Sequence, residues 1–172
     1  MASITRKAWV LPQNVSNPRH IDRILRWVGH QAWIPRRHLL VRRLWRRAYS
    51  AVEVETEFYG FRYRAQLRDW IDWNVYFFGA YAPFELAFVW RASKALRQSG
   101  RTRIVAADVG ANLGHHSVFM SKHFDEVWAF EPYEIVRERL ENVIRRNRID
   151  NVRILPTALG ETNALLTVHP PP

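Results

Sequence analysis

Arg103-Ile104-Val105-Ala106-Ala107-Asp108-Val109-Gly110-Ala111-Asn112-Leu113-Gly114 is the stretch on which the fold of this chain turns. An apolar run rich in β-branched residues leads into two glycines, and a helix-like stretch from His116 to Phe124 follows. Strand, glycine turn and helix, in that order, are how a doubly wound α/β sheet begins a nucleotide site. Glycine permits the turn because no Cβ collides with the backbone or with a ligand approaching it.

Downstream, Val127-Trp128-Ala129-Phe130 reads as a short buried strand ending in Glu131-Pro132. A helix from Glu134 to Asn147 places Val136, Leu140, Val143 and Ile144 on one side, and Asn151 to Leu155 forms a third short strand. Strands alternating with helices of this length predict parallel pairing through crossovers. Glu131 lies 21 residues beyond Gly110, where such a site carries the acid that accepts hydrogen bonds from ribose hydroxyls. The pattern is nevertheless not the dinucleotide fingerprint, because residue 112 is Asn, and no Gly-Lys-Ser/Thr of a P-loop is present. Asparagine is among the few residues besides glycine that enter the left-handed region readily. A ligand with a ribose but no pyrophosphate suits this turn.

Upstream, Val52, Val54, Thr56 and Phe58 alternate with glutamates, and after Gly60 the residues Phe61, Tyr63, Ala65 and Leu67 alternate with Arg62, Arg64 and Gln66. This predicts an antiparallel hairpin turning at Tyr59-Gly60, with glutamates facing arginines on its wet side. Residues 69–82 read as aromatic and irregular. A helix is expected from Pro83 to Gln98, with proline in its first turn and Gly100 as its stop.

Charge is concentrated at the N-terminus. The formal net charge is +10; residues 1–50 hold eleven Lys/Arg against Asp22 alone, and residues 51–172 hold fifteen of each sign. After a polar lead-in over 1–18, residues 20–34 carry an apolar stripe of Ile21, Ile24, Leu25, Val28, Ala32 and Trp33. A second basic helix is expected from Arg37 to Tyr49, with Leu40, Val41, Leu44, Trp45 and Ala48 on its apolar face. Three uses of this arm stay open: a hairpin packed on the domain with a solvated arginine face, a peripheral membrane or partner contact through residues 20–49, and phosphate binding to nucleic acid. The last is disfavoured because no nucleic-acid motif accompanies the arginines. Cysteine is absent, which excludes disulfides, thiolate metal sites and a cysteine nucleophile. No metal site is expected. No secretory h-region is visible, and two acids and a proline interrupt the most hydrophobic window, Trp70 to Trp90. A cytoplasmic location is the expectation.

Taken together, Asp108-Val109-Gly110-Ala111-Asn112-Leu113-Gly114, Ala129-Phe130-Glu131-Pro132, Leu140-Glu141-Asn142, Arg146-Asn147, Asn151-Val152 and Ala158-Leu159-Gly160-Glu161 resemble the FkbM family of methyltransferases, class I enzymes dependent on S-adenosylmethionine. Gly79, Tyr81 and Glu85 are similar to that family's lead-in. The resemblance spans 104–161 strongly and 52–103 more weakly, and it is absent over 1–50. Beside the basic helical extension read from charge and periodicity (1–50), the resemblance implies a β-hairpin and helix lead-in (51–100) and the N-terminal half of a Rossmann-like domain (101–172). It also implies a site: Asp108 with the Gly110, Asn112 and Gly114 turn at the methionine portion of the cofactor, Glu131 at the ribose, and Ala158 and Leu159 near the adenine. Asn142 and Asn147 match family positions, with capping or loop anchoring as their expected use. His115 and His116 are candidates for a catalytic base, against the default of ordinary helix N-terminal histidines.

The implied reaction is methyl transfer to a hydroxyl oxygen of a sugar or other small metabolite. Only the first half of a methyltransferase sheet is visible before Thr167-Val168-His169 and three prolines, so a C-terminally truncated enzyme is expected, with an open edge at Ile104–Val109. Two alternatives stay open: a non-catalytic remnant that binds S-adenosylmethionine, and a membrane- or nucleic-acid-associated protein acting through its arginine-rich arm.

Overall fold

A computed structural model describes residues 20–45 and 53–162. The expected lead-in over 1–18, the end of the second helix beyond Trp45, the strand position Val52 and the stretch Thr167–His169 lie outside the described residues. The chain divides into two compact units, 1–56 with 64–79 and 57–63 with 80–172.

The first unit contains α1 (His20–His30), α2 (Arg37–Trp45) and α3 (Trp70–Phe78), with α1 packed on both of the others. The α3 helix corrects the expectation of an irregular stretch over 69–82. Its aromatic residues have no clear helical period, yet both of its ends are marked. The Asp69 Oδ1 accepts hydrogen bonds from the N–H groups of Ile71 (2.8 Å) and Asp72 (3.3 Å), and Gly79 closes the helix at φ 84°. The buried side of α1 also differs from the expected stripe. Asp22, Leu25 and Gly29 face inward, whereas Ile21 and Ile24 are exposed. Gly29 explains this: a Cβ there would lie 2.0 Å from the Phe77 carbonyl oxygen, so only glycine lets α1 approach α3 so closely. On α2 the inward residues are Val41 and Trp45, and Leu40 and Leu44, expected on the apolar face, are exposed. Trp45 meets Trp73 and Phe77 edge-on at 5.9 and 6.3 Å.

The strands β1 (Glu53–Phe58) and β2 (Phe61–Gln66) form the predicted hairpin. Tyr59 (φ 48°) and Gly60 (φ 82°) are both left-handed, as a two-residue primed turn requires. The Arg64 Nε lies 3.4 Å from Glu53 and 3.6 Å from Glu55, so the glutamate–arginine pairs form. Glu53 is nonetheless buried rather than on a wet face.

The second unit is the α/β half. The strands β3 (Val105–Val109), β4 (Glu126–Phe130) and β5 (Val152–Leu155) pair in parallel in the order β3-β4-β5. The connecting helices are α5 (His115–Met120) and α6 (Glu134–Asn147), and α4 (Pro83–Gln98) precedes the sheet. This three-stranded parallel α/β sheet is Rossmann-like, as expected. Ala106 and Val127 pack with Met120 of α5, Val89 of α4 and Phe124. Ala129 packs with Ala111, with Leu140 and Ile144 of α6, and with Val152 and Ile154. All three helices thus cover one sheet face. On the opposite face Val105, Val109 and Trp128 are exposed, and among the described residues β3 is paired on one side only.

Candidate functional site

The turn after β3 is shaped by three left-handed residues, Gly110 (φ 78°), Asn112 (φ 51°) and Gly114 (φ 82°). Two of them are needed for different reasons. At Gly114 a Cβ would lie 2.1 Å from Leu140 Cδ1, so glycine lets α6 close over the turn. At Gly110 nothing lies within 4 Å of where a Cβ would be; there the conformation calls for glycine, and the space beside it is open. The N–H groups of Gly110 and Ala111 donate to the Phe130 carbonyl at 3.0 and 2.9 Å, which fastens the turn to the end of β4.

Glu131 follows immediately, with its backbone N–H bonded to the Leu155 carbonyl at 3.0 Å. Only 8% exposed, its carboxylate accepts from the Asn112 N–H through Oε2 and from the Tyr133 N–H through Oε1, both at 2.9 Å. The Arg137 guanidinium donates to the Glu131 and Pro132 carbonyls at 3.2 and 3.0 Å and so braces the same corner. Each carboxylate oxygen has about two acceptor positions, so one on each remains for a ligand.

Asp108 closes β3, half-buried, and accepts a hydrogen bond of 2.5 Å from the hydroxyl of fully buried Ser117. Ser117 did not stand out in the sequence; its signal was spacing, three residues past Gly114 on the first turn of α5. Asp108, Gly110, Asn112, Gly114 and Glu131 are therefore gathered at one end of the sheet. Ala158 and Leu159 lie on an exposed segment that leaves β5 at the same end.

The two histidines separate. His115 is 3% exposed, and its Nε2 lies 3.1 Å from the Tyr81 carbonyl, an acceptor that requires the proton on Nε2. Burial, helped by the neighbouring His116, pushes its pKa down to about 4 against the opposing pull of the Tyr81 carbonyl. Its ring is wedged among Phe58, Tyr81 and His116. His116 is more accessible, and its Nε2 sits 3.3 Å from the Glu85 carboxylate at the start of α4. Among the described residues no group of three or more His, Asp or Glu could hold a metal ion.

Asn147 ties α6 to the hairpin tip. Its amide donates to the Arg62 carbonyl at 2.9 Å, and its oxygen accepts from the Arg62 N–H at 2.8 Å. Asn142, the other matching asparagine, accepts from Arg145 on its own helix.

No family model and no curated protein matches the chain. Solved structures similar to it include an rRNA methylase from Streptococcus thermophilus, 15% identical, covering 44% of this chain and 41% of that one with a TM-score of 0.37. TYW2 from M. jannaschii, in complex with AdoMet, is 18% identical and covers 62% and 44% with a TM-score of 0.45. Trm5b from Pyrococcus abyssi is 20% identical and covers 66% and 29% with a TM-score of 0.43. The chain spans less than half the length of each.

Proposed function

We propose that this chain binds S-adenosylmethionine at the turn 110–114 and that its chemistry is methyl transfer of the FkbM type, to a hydroxyl oxygen of a sugar or small metabolite. The observation that carries the reading is Glu131. A buried carboxylate at the end of the second parallel strand, held by two backbone N–H groups with one acceptor position left on each oxygen, matches the vicinal hydroxyls of a ribose. The residues fit the cofactor: Gly110 has open space where a side chain would stand, and the Asn112 turn lacks the glycine that a pyrophosphate demands.

Glu131 would hold the ribose, Asp108 and the turn backbone would lie at the methionine portion, and Ala158 and Leu159 would lie near the adenine. Bound there, the sulfonium supplies an electrophilic methyl group. The protein's own share is positioning and exclusion of water. Ser117 holds the Asp108 carboxylate in place, Arg137 and the Tyr133 N–H hold the Glu131 corner, and His115 stays neutral at pH 7, packed among Phe58, Tyr81 and His116. Of the two histidines, His116 has the accessibility a base requires.

Calorimetric titration with S-adenosylhomocysteine tests the reading. Saturable heat from the wild-type chain that is lost in Glu131→Ala supports it, and no heat from a folded wild-type chain overturns it. A second reading, cofactor binding without transfer, is favoured by the exposure of Val105, Val109 and Trp128, which leaves one sheet face without a covering element among the described residues. Binding of S-adenosylhomocysteine with no methyl transfer from labelled cofactor to any sugar or metabolite hydroxyl would mark this second case.

A further inference from the structure

The outer sides of α1 and α2 are built unlike those of an ordinary solvated helical hairpin. Opposite the buried residues Asp22, Leu25 and Gly29, α1 exposes Ile24 at 58% and Trp27 at 59%. The connecting turn exposes Trp33 at 74%, and α2 adds Leu39 at 52% and Leu40 at 44%. Scattered exposed apolar residues are normal, but several large ones on two consecutive short helices mark an interaction surface. Charge is as one-sided as the apolar pattern. Residues 20–45 contain six arginines and a single acid, Asp22, and that acid is fully buried. The surface these helices offer therefore carries positive side chains, Arg23, Arg36 and Arg43 among them, and no negative one.

We propose that this outer surface lies on an anionic phospholipid bilayer, with Trp27, Trp33 and the neighbouring aliphatic side chains entering the interface and the arginines meeting lipid phosphates. Tryptophan prefers the boundary between water and hydrocarbon, where its ring is apolar and its N–H stays wet. Surface attachment of an amphipathic basic helix combines apolar burial with attraction to anionic headgroups, and both ingredients are present here. The contact is peripheral, since among the described residues no helix is long and apolar enough to cross a membrane. Nucleic acid is the less suitable partner. Arginines would serve its phosphates and tryptophans its bases, but Ile24, Leu39 and Leu40 would stay exposed with nothing to bury them.

Co-sedimentation of the full chain with vesicles tests the proposal without reference to the cofactor site. Vesicles of phosphatidylcholine with phosphatidylglycerol should carry the protein down, and pure phosphatidylcholine vesicles should not. Arg36→Gln with Arg43→Gln should weaken binding about 25-fold, from about fivefold per arginine near a charged surface. Trp27→Ala with Trp33→Ala should weaken it about tenfold or more through lost apolar burial. All four residues are exposed, and circular dichroism verifies that both double variants stay folded. Three results would overturn the proposal: no sedimentation of a folded chain, equal sedimentation with neutral and anionic vesicles, or sedimentation that ignores the tryptophan pair. If a single-stranded RNA oligonucleotide binds more tightly than the vesicles and insensitively to the tryptophan pair, the surface belongs to nucleic acid. Self-association in the ultracentrifuge that disappears with the tryptophan pair, without vesicle binding, assigns it to a second copy.

Discussion

The Glu131 carboxylate accepts the backbone N–H of Asn112 at 2.9 Å, joining the end of the second parallel strand to the middle of the glycine turn 19 residues earlier. One side chain therefore both shapes the turn and presents acceptors beside it. Glu131→Ala leaves the N–H groups of Asn112 and Tyr133 without their acceptor, at a cost of about 1–3 kcal/mol. Binding of S-adenosylhomocysteine should fall at least about tenfold, as expected when hydrogen bonds to a charged group are lost. Glu131→Gln keeps one acceptor oxygen and should be the milder change in urea denaturation. Calorimetry on both variants separates the loss of ligand affinity from the loss of fold.

Gly110→Ala and Gly114→Ala should fail in opposite ways. Gly114 is left-handed, and a Cβ there would lie only 2.1 Å from Leu140 Cδ1, so its variant combines backbone strain with overpacking and should lose about 2–4 kcal/mol in stability. Gly110 has only the conformational penalty, about 1–2 kcal/mol. Its added methyl group would instead enter the open space beside the turn, so Gly110→Ala should lose S-adenosylhomocysteine affinity out of proportion to its loss of stability. Equal effects of the two variants on both measurements would contradict this assignment of the turn.

His115 makes stability depend on pH. Its folded pKa is lowered to about 4 from 6.5, chiefly by burial, so between those values the unfolded chain binds the extra proton. The contribution is fully present above pH 6.5 and is lost progressively as the pH falls toward 4. It amounts to about 2 kcal/mol between pH 7 and pH 4.5. Urea unfolding at the two pH values should show a difference that shrinks by about that amount in His115→Phe.

Asn147→Ala should loosen the hairpin tip. It removes both hydrogen bonds to Arg62 and the one to the Val143 carbonyl, at a cost of about 1–3 kcal/mol. Hydrogen exchange should report it locally, with the Arg62 N–H exchanging faster while the amides of β4 keep their protection. Uniform acceleration across the sheet would mean that the residue holds the whole fold rather than the tip.

Wherever local chemistry is decisive, the linear chain already determined the outcome. Gly110, Asn112 and Gly114 are residue types that permit the tight left-handed turn they form. The spacing of Glu131 placed it at a strand end, Tyr59-Gly60 made a primed turn, and proline and glycine bracketed α4. Strand β4 was legible as a short continuous apolar run closed by Glu131-Pro132, and helix α6 by the helical spacing of Val136, Leu140, Val143 and Ile144. Tertiary contacts decided the remainder. Aromatic residues all round α3 hid its period, although Asp69 and Gly79 marked its caps. On α1 a stripe of Ile21, Ile24 and Val28 should have turned inward by hydrophobicity alone. Close approach of two backbones at Gly29 and Phe77 selected the side bearing Asp22 and Leu25 instead. Likewise only folding could separate His115 from His116, since one turn of α5 carries one ring into the core and the other to the Glu85 carboxylate. Periodicity and turn chemistry act within a few residues and can be read from the chain, whereas the choice of buried face depends on the shape of a partner distant in sequence.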